Sequence, residues 1–158
     1  MPKSETIHHE PRGMLVLRTL AMPADTNPWG DVFGGWLLTQ MDIAAGLMAG
    51  EVAKGRSVTV SVEGVVFRRP VSVGQTICIY AELTQVGRSS MTIQLQVWAR
   101  DLVHRYQDDH EFVTEGTFHY VAVDHDGRPR QIPENPEFFT ADRTPVISPT
   151  GSAHELSS

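Results

Sequence analysis

The stretch from about Gly35 to Ala53 constrains this chain more than any other. Advanced by about 100° per residue, Trp36, Leu37, Leu38, Met41, Ile43, Ala44, Ala45, Leu47 and Met48 fill most of a helical circle. A helix that is apolar nearly all round is a buried one, so the rest of the chain must be a layer that covers it. At about 1.5 Å per residue it runs roughly 28 Å, enough to cross most of a five-stranded sheet. Lys54 lies in or near its last turn, and Gly55 is the expected C-cap. The one small and polar arc holds Gly35, Thr39, Asp42, Gly46 and Gly50.

The covering layer is legible as strands. Met14 to Ala21 forms a first strand, followed by a structured loop rich in Pro, Asp, Asn and Gly. After the helix, Val58, Val60 and Val62 alternate with polar residues, as do Ile77, Ile79, Ala81 and Leu83, and then Met91, Ile93, Leu95 and Val97. A last strand runs from about Phe112 to Val123. Period-two alternation predicts antiparallel strands with one buried face, and one helix against one such sheet is an α+β layout. We expect a flexible arm over 1–13, a single domain over 14–132, and an extended or disordered tail over 133–158, which is rich in Pro, Ser and Thr.

A chain of 158 residues suits one domain. Its formal charge of −6 argues against a nucleic-acid partner, which wants a basic surface. No run of about 18 apolar residues predicts a membrane span, and the first residues lack the apolar core of a secretory signal. The lone cysteine, Cys78, can form no internal disulfide, so a cytoplasmic location is expected. No metal-ligand spacing occurs, and His8-His9 reads as part of the polar arm.

Several residues carry possible chemistry. Asp42 shares its arc with small residues rather than charges, so it is either an exposed carboxylate or one held in a cleft. Gly34 and Gly35 open the backbone N–H groups of a helix start to an anion or a polarised carbonyl, although a tight turn explains them equally. Gly87, Arg88, Ser89 and Ser90 form a hairpin turn whose Arg and hydroxyls can hold phosphate oxygens or simply face water. Arg68 and Arg69 add local positive charge, for solubility or for a ligand. His119 on the last strand and Cys78 read as packing or surface residues.

The blocks "LAMPADTNPWGDVFGGWLLTQMDIAAGLMA", "SVTVSVEGVVFRRPVSVGQ", "VGRSSMTIQLQVWA" and "TFHYVAVDHDGRPR" occur in an order and spacing that resemble the YciA-like acyl-CoA thioesterases of the hotdog superfamily, from about Thr19 to Ile132. The resemblance implies a hotdog fold, with a long central helix wrapped by a curved antiparallel sheet. It implies dimers joined edge to edge, assembled further into trimers of dimers (hexamers), with active sites at the dimer interface. It implies hydrolysis of acyl-CoA to a free acid and CoA without a metal or other cofactor. The catalytic carboxylate falls on Asp42, the loop asparagine on Asn27, the paired glycines on Gly34 and Gly35, and the CoA-contacting loop on Gly87, Arg88, Ser89 and Ser90. Arg69 is a further candidate for the nucleotide end of CoA. Pro28-Trp29 departs from the smaller residues of relatives, and Trp29 is placed to narrow or floor an acyl pocket. Two rivals remain at this stage. "DTNPWG" is similar to the motif of hotdog enoyl-CoA hydratases, but Gly30 stands where their histidine is; a non-catalytic acyl-CoA binder would keep the pocket without a poised carboxylate.

Overall fold

A computed structural model describes residues 10–101 and 110–146. The elements run β1 (Met14–Leu20), a 3-10 turn (Pro23–Asp25), α1 (Gly34–Ala53), β2 (Ser57–Glu63), β3 (Gln75–Val86), β4 (Ser90–Asp101) and β5 (Glu111–Ala122). Among the described residues the strands form one five-stranded antiparallel sheet in the order β1-β3-β4-β5-β2, and α1 packs against one face of it, touching all five strands. The expected α+β layer structure is the one observed. His8, His9, His104 and the last part of the tail, 147–158, lie outside the described residues.

The core follows the expected registers. Ile77, Ile79, Ala81 and Leu83 of β3 and Met91, Ile93, Leu95 and Val97 of β4 are buried under Leu37, Met41, Ala44, Ala45, Met48, Ala49 and Val52 of α1. Packing is close at Gly116, where a Cβ would come 2.6 Å from Val65; a residue with no side chain lets the Val65 segment settle on β5 there. A second cluster, Cys78, Tyr80 and Trp98, is buried on the other face of the sheet. It takes up the cysteine as packing, with Arg18 Nε donating to Cys78 Sγ (3.4 Å).

Three expectations need correction. The helix is not buried all round within one chain: Leu38, Ile43 (46% exposed) and Leu47 (53%) line an open flank. Beside it, β2 is an edge strand with one side unpaired among the described residues, and it does not bury one clean face. A bulge between Thr59 and Ser61 inserts Val60 (57% exposed) and reverses the alternation, so Thr59 and Val62 face the helix side while Val58 does not. The C-cap is also shifted by one residue. Lys54 itself takes the left-handed conformation (φ 51°, ψ 47°), and Gly55 N–H closes the turn on the Gly50 carbonyl (3.1 Å).

The stretch from Pro133 to Val146, expected to be extended or disordered, holds no helix or strand but is tied to the domain. Phe139 is buried, and Asn135 Nδ2 donates to the carbonyls of Glu51 (3.0 Å) and Val52 (3.2 Å), satisfying groups that a helix end leaves open. Its composition is loop-like, and side-chain hydrogen bonds rather than periodic burial hold it.

Candidate active site

Asp42 sits near the middle of α1 on the open flank, and both sequence-level readings of it are half right. Its carboxylate is exposed on one side and fixed on the other. Thr59 of β2 and Tyr120 of β5 stand directly opposite each other in the sheet and both reach the helix. Thr59 Oγ1 donates to Asp42 Oδ1 (2.7 Å), and the Tyr120 hydroxyl donates to the same Oδ1 (2.6 Å) while also lying 3.0 Å from the Asp42 carbonyl. Burial first, and then the Asp42 bond, push the Tyr120 hydroxyl well above the usual tyrosine range, so it remains a protonated donor. Oδ2 has no hydrogen-bond partner among the described residues.

Sequence reasoning missed Thr59 and Tyr120 as neighbours of Asp42. One signal was available. Tyr120 falls two residues from Phe118 and from Ala122 on the inward face of β5, and a tyrosine in a core needs a partner for its hydroxyl. The Thr59 signal was hidden, because the bulge decides which face it joins.

The glycine pair lies at the very start of α1. Phe33 is the N-cap and provides no side-chain hydrogen bond; the first N–H groups of a helix have no acceptor within it. Phe67 stands 3.1 Å from an ideal Cβ on Gly34, while above Gly35 nothing lies within 4 Å. The Gly35 end is therefore open space bounded by backbone donors. Asn27 organises the loop that leads there: its Oδ1 accepts from the N–H groups of Trp29 (2.9 Å) and Asp31 (3.1 Å). That leaves its amide nitrogen as the group able to donate to a ligand. Trp29 is 84% exposed.

The expected site residues fall into two groups that one chain does not unite. Gly34, Gly35 and Asn27 lie at one end of the sheet together with Arg68, whose N–H donates to Val113 O at the start of β5. Arg69 there pairs with Glu111 across 3.2 Å at the surface. The loop Gly87–Ser90 lies at the far end, where Ala122 N–H donates to Ser89 O. The strand from Val113 to Ala122 is roughly 30 Å long at about 3.4 Å per residue. Arg69 and Arg88 of one chain therefore cannot grip the same small ligand.

The Gly87–Ser90 turn is more rigid than a plain hairpin. Ile132 N–H donates to Arg88 O (2.7 Å), and Arg143 reaches Gly87 O (2.7 Å) with Nη1 and Ile132 O (2.8 Å) with Nη2. Arg143 sits in the left-handed region (φ 63°) with its guanidinium over the Phe139 ring. The turn's carbonyls are thereby occupied, and the Arg88 side chain is left exposed with no carboxylate partner among the described residues. Arg143→Ala removes both donors at once and is expected to cost about 1–2 kcal/mol, read as a lower denaturant midpoint at unchanged slope. A midpoint equal to that of the unaltered protein would show the strap to be idle.

His119 is accounted for by structure. Its Nδ1 lies 3.1 Å from Thr92 Oγ1 and its Nε2 3.5 Å from Glu63, on the face of β5 away from Asp42. Among the described residues, no three His, Cys, Asp or Glu side chains gather where a metal ion could sit, and no helix is long and apolar enough to cross a membrane.

With this geometry in hand, the likenesses to known proteins are specific. Residues 30–104 match the family model described as the thioesterase superfamily. The acyl-CoA thioester hydrolase YciA of Escherichia coli (strain K12) is 52% identical over 128 residues, covering 81% of this chain and 97% of that protein. HI0827, a hexameric broad specificity acyl-coenzyme A thioesterase solved in a form with one aspartate replaced by alanine, is 46% identical, with a TM-score of 0.74 and coverage of 78% of this chain and 88% of that one. A hexameric hotdog fold thioesterase of Campylobacter jejuni is 37% identical, with a TM-score of 0.71 and coverage of 77% and 91%.

Proposed function

The chain belongs to the thioesterase superfamily, among the relatives of the acyl-CoA thioester hydrolase YciA, and from that membership we propose that it hydrolyses acyl-CoA thioesters to a free carboxylic acid and coenzyme A, with Asp42 as the reacting carboxylate. The observation that carries the reading is the pairing of a carboxylate fixed by two hydroxyls with an uncapped, open helix N-terminus.

The chemistry needs no cofactor. The thioester carbonyl lies against the N–H groups at Gly34 and Gly35, which take up the oxyanion as it develops. The Asn27 amide orients the water or the carbonyl. Asp42 Oδ2 removes a proton from water as its oxygen bonds to the carbonyl carbon. The C–S bond then breaks, and the sulfur leaves as thiolate, which needs no strong acid to assist it. In the alternative route Asp42 attacks the carbonyl directly and forms an anhydride that water opens.

Within one helix, Gly35 and Asp42 are separated by roughly 10 Å along the axis at about 1.5 Å per residue. An oxyanion donor must lie about 3 Å from the reacting oxygen, so the two halves of a site come from two copies. A two-fold dimer that pairs edge strand β2 with its counterpart would set the open flanks of the two helices antiparallel and face to face, covering Leu38, Ile43 and Leu47. It would bring Gly35 of one copy to Asp42 of the other. The same operation moves Arg69 of the second copy relative to the Gly87–Ser90 loop of the first, so both can serve one CoA. Three such dimers would make the hexamer that the relatives' structures are described as forming. A cytoplasmic location goes with this reading, since the single Cys78 requires no oxidising compartment.

The hydratase alternative lacks its imidazole, because the position holds Gly30 in a tight turn (φ 85°). The test is thiol release followed with a chromogenic disulfide reagent across short to long acyl-CoA substrates, beside hydration of crotonyl-CoA. Thiol release with no hydration is the expected result, and the reverse would overturn the proposal. Single turnover in oxygen-18 water then separates the two routes: label in Asp42 would sink the simple general-base one.

A further inference from the structure

We propose that Tyr120 is a positioning residue that decides which oxygen of Asp42 reacts; the inference rests on the reading of Asp42 given above and adds a residue to it. A free aspartate rotates about its terminal torsion, so its two oxygens exchange roles. Here every torsion between the two equivalent settings loses both bonds, so one oxygen stays bonded and the other free. Oδ1 accepts both hydroxyls, Tyr120 at 2.6 Å and Thr59 at 2.7 Å, while Oδ2 accepts none among the described residues. Oδ1 is spent on the protein, and Oδ2 is left to meet water or the thioester.

Tyr120 is the stronger of the two anchors. Its ring is buried between the sheet and the helix, and the side chain of Phe118 is buried beside it on the same face of β5. Gly46 stands opposite it, where a Cβ would lie in ordinary contact, 3.9 Å from the hydroxyl and the ring edge. Thr59, by contrast, stands at a bulge on an exposed edge strand. The Tyr120 hydroxyl also lies 3.0 Å from the backbone carbonyl of Asp42, so it ties the side chain to its own main chain. Tyr120 touches no reacting atom in this arrangement. It acts through Asp42.

The role predicts a particular kinetic pattern for Tyr120→Phe, which keeps the ring and removes only the donor. With the full-length protein and a short acyl-CoA, kcat is expected to fall about tenfold while KM changes less than twofold, because substrate contacts are untouched. The thermal midpoint controls for folding. The decisive measurement is the pair with Asp42→Asn. If Tyr120 works only by placing the Asp42 carboxylate, adding Tyr120→Phe to Asp42→Asn lowers the residual rate no further. A further tenfold loss in that background, or a full kcat in Tyr120→Phe alone, overturns the inference. Asp42→Asn alone keeps the two claims apart: near-normal turnover there removes the reading of Asp42 itself, whereas an inactive Asp42→Asn beside a fully active Tyr120→Phe removes only the role of Tyr120.

Discussion

Asp42→Asn is expected to lower kcat by about three orders of magnitude, at the upper part of what a positioned acid–base group contributes, with the chain still folded. The substitution is nearly isosteric. Its amide oxygen can still accept from Thr59 and Tyr120, the two donors that hold Oδ1. What is lost is the capacity of the free oxygen to take a proton or to attack, since an amide does neither at neutral pH. Folding should be nearly indifferent, because Asp42 lies on the open flank and pairs with no cation among the described residues. Thiol release from a saturating acyl-CoA, with a melting curve on the same sample, gives both answers. Turnover within tenfold of the unaltered enzyme would show that another group does the chemistry.

The legibility of this molecule in its sequence divides along physical lines. Central strands were readable because each has one partner on either side and a helix on one face, so alternation in β3 and β4 maps directly onto burial. The edge strand β2 was not, since one inserted residue, Val60, reverses the faces without changing the composition. The helix misled in an instructive way. Its apolar circumference does call for burial, but Ile43 and Leu47 find none inside one chain; in the proposed dimer a second copy would cover them. Asp42 and the glycine pair were visible as exceptions to that pattern. Thr59 and Tyr120 were not, because their meeting depends on strand register across a gap of dozens of residues. The Pro133–Val146 strap was hidden for a different reason: Asn135 and Arg143 hold it through single side chains, and such bonds leave no period to read.

The divided site leads to the second large effect, and it concerns two chains rather than one. Gly35→Val should nearly abolish turnover by placing a branched side chain in the open space above the first turn. Nothing lies within 4 Å of an ideal Cβ there, so the helix itself has room for the substitution. Asp42→Asn is inactive for a separate reason. If each site takes its helix end from one copy and its carboxylate from the other, a mixed dimer of the two variants holds one site with both defects and one with neither. Random exchange makes half of all dimers mixed, each with one intact site of two, so activity should return to about a quarter of the unaltered enzyme's. If instead both halves belonged to a single chain, every site in the mixture would carry one defect and no activity would return. The outcome separates the two geometries whatever the chain-length preference of the enzyme, because both variants leave the rest of the acyl and CoA contacts in place. Co-refolding the variants from denaturant, then measuring thiol release against the ratio in which they are mixed, should give a maximum at equal amounts. A flat line at the level of the separate variants would place Gly35 and Asp42 of the same chain in one site and remove the dimer from the mechanism.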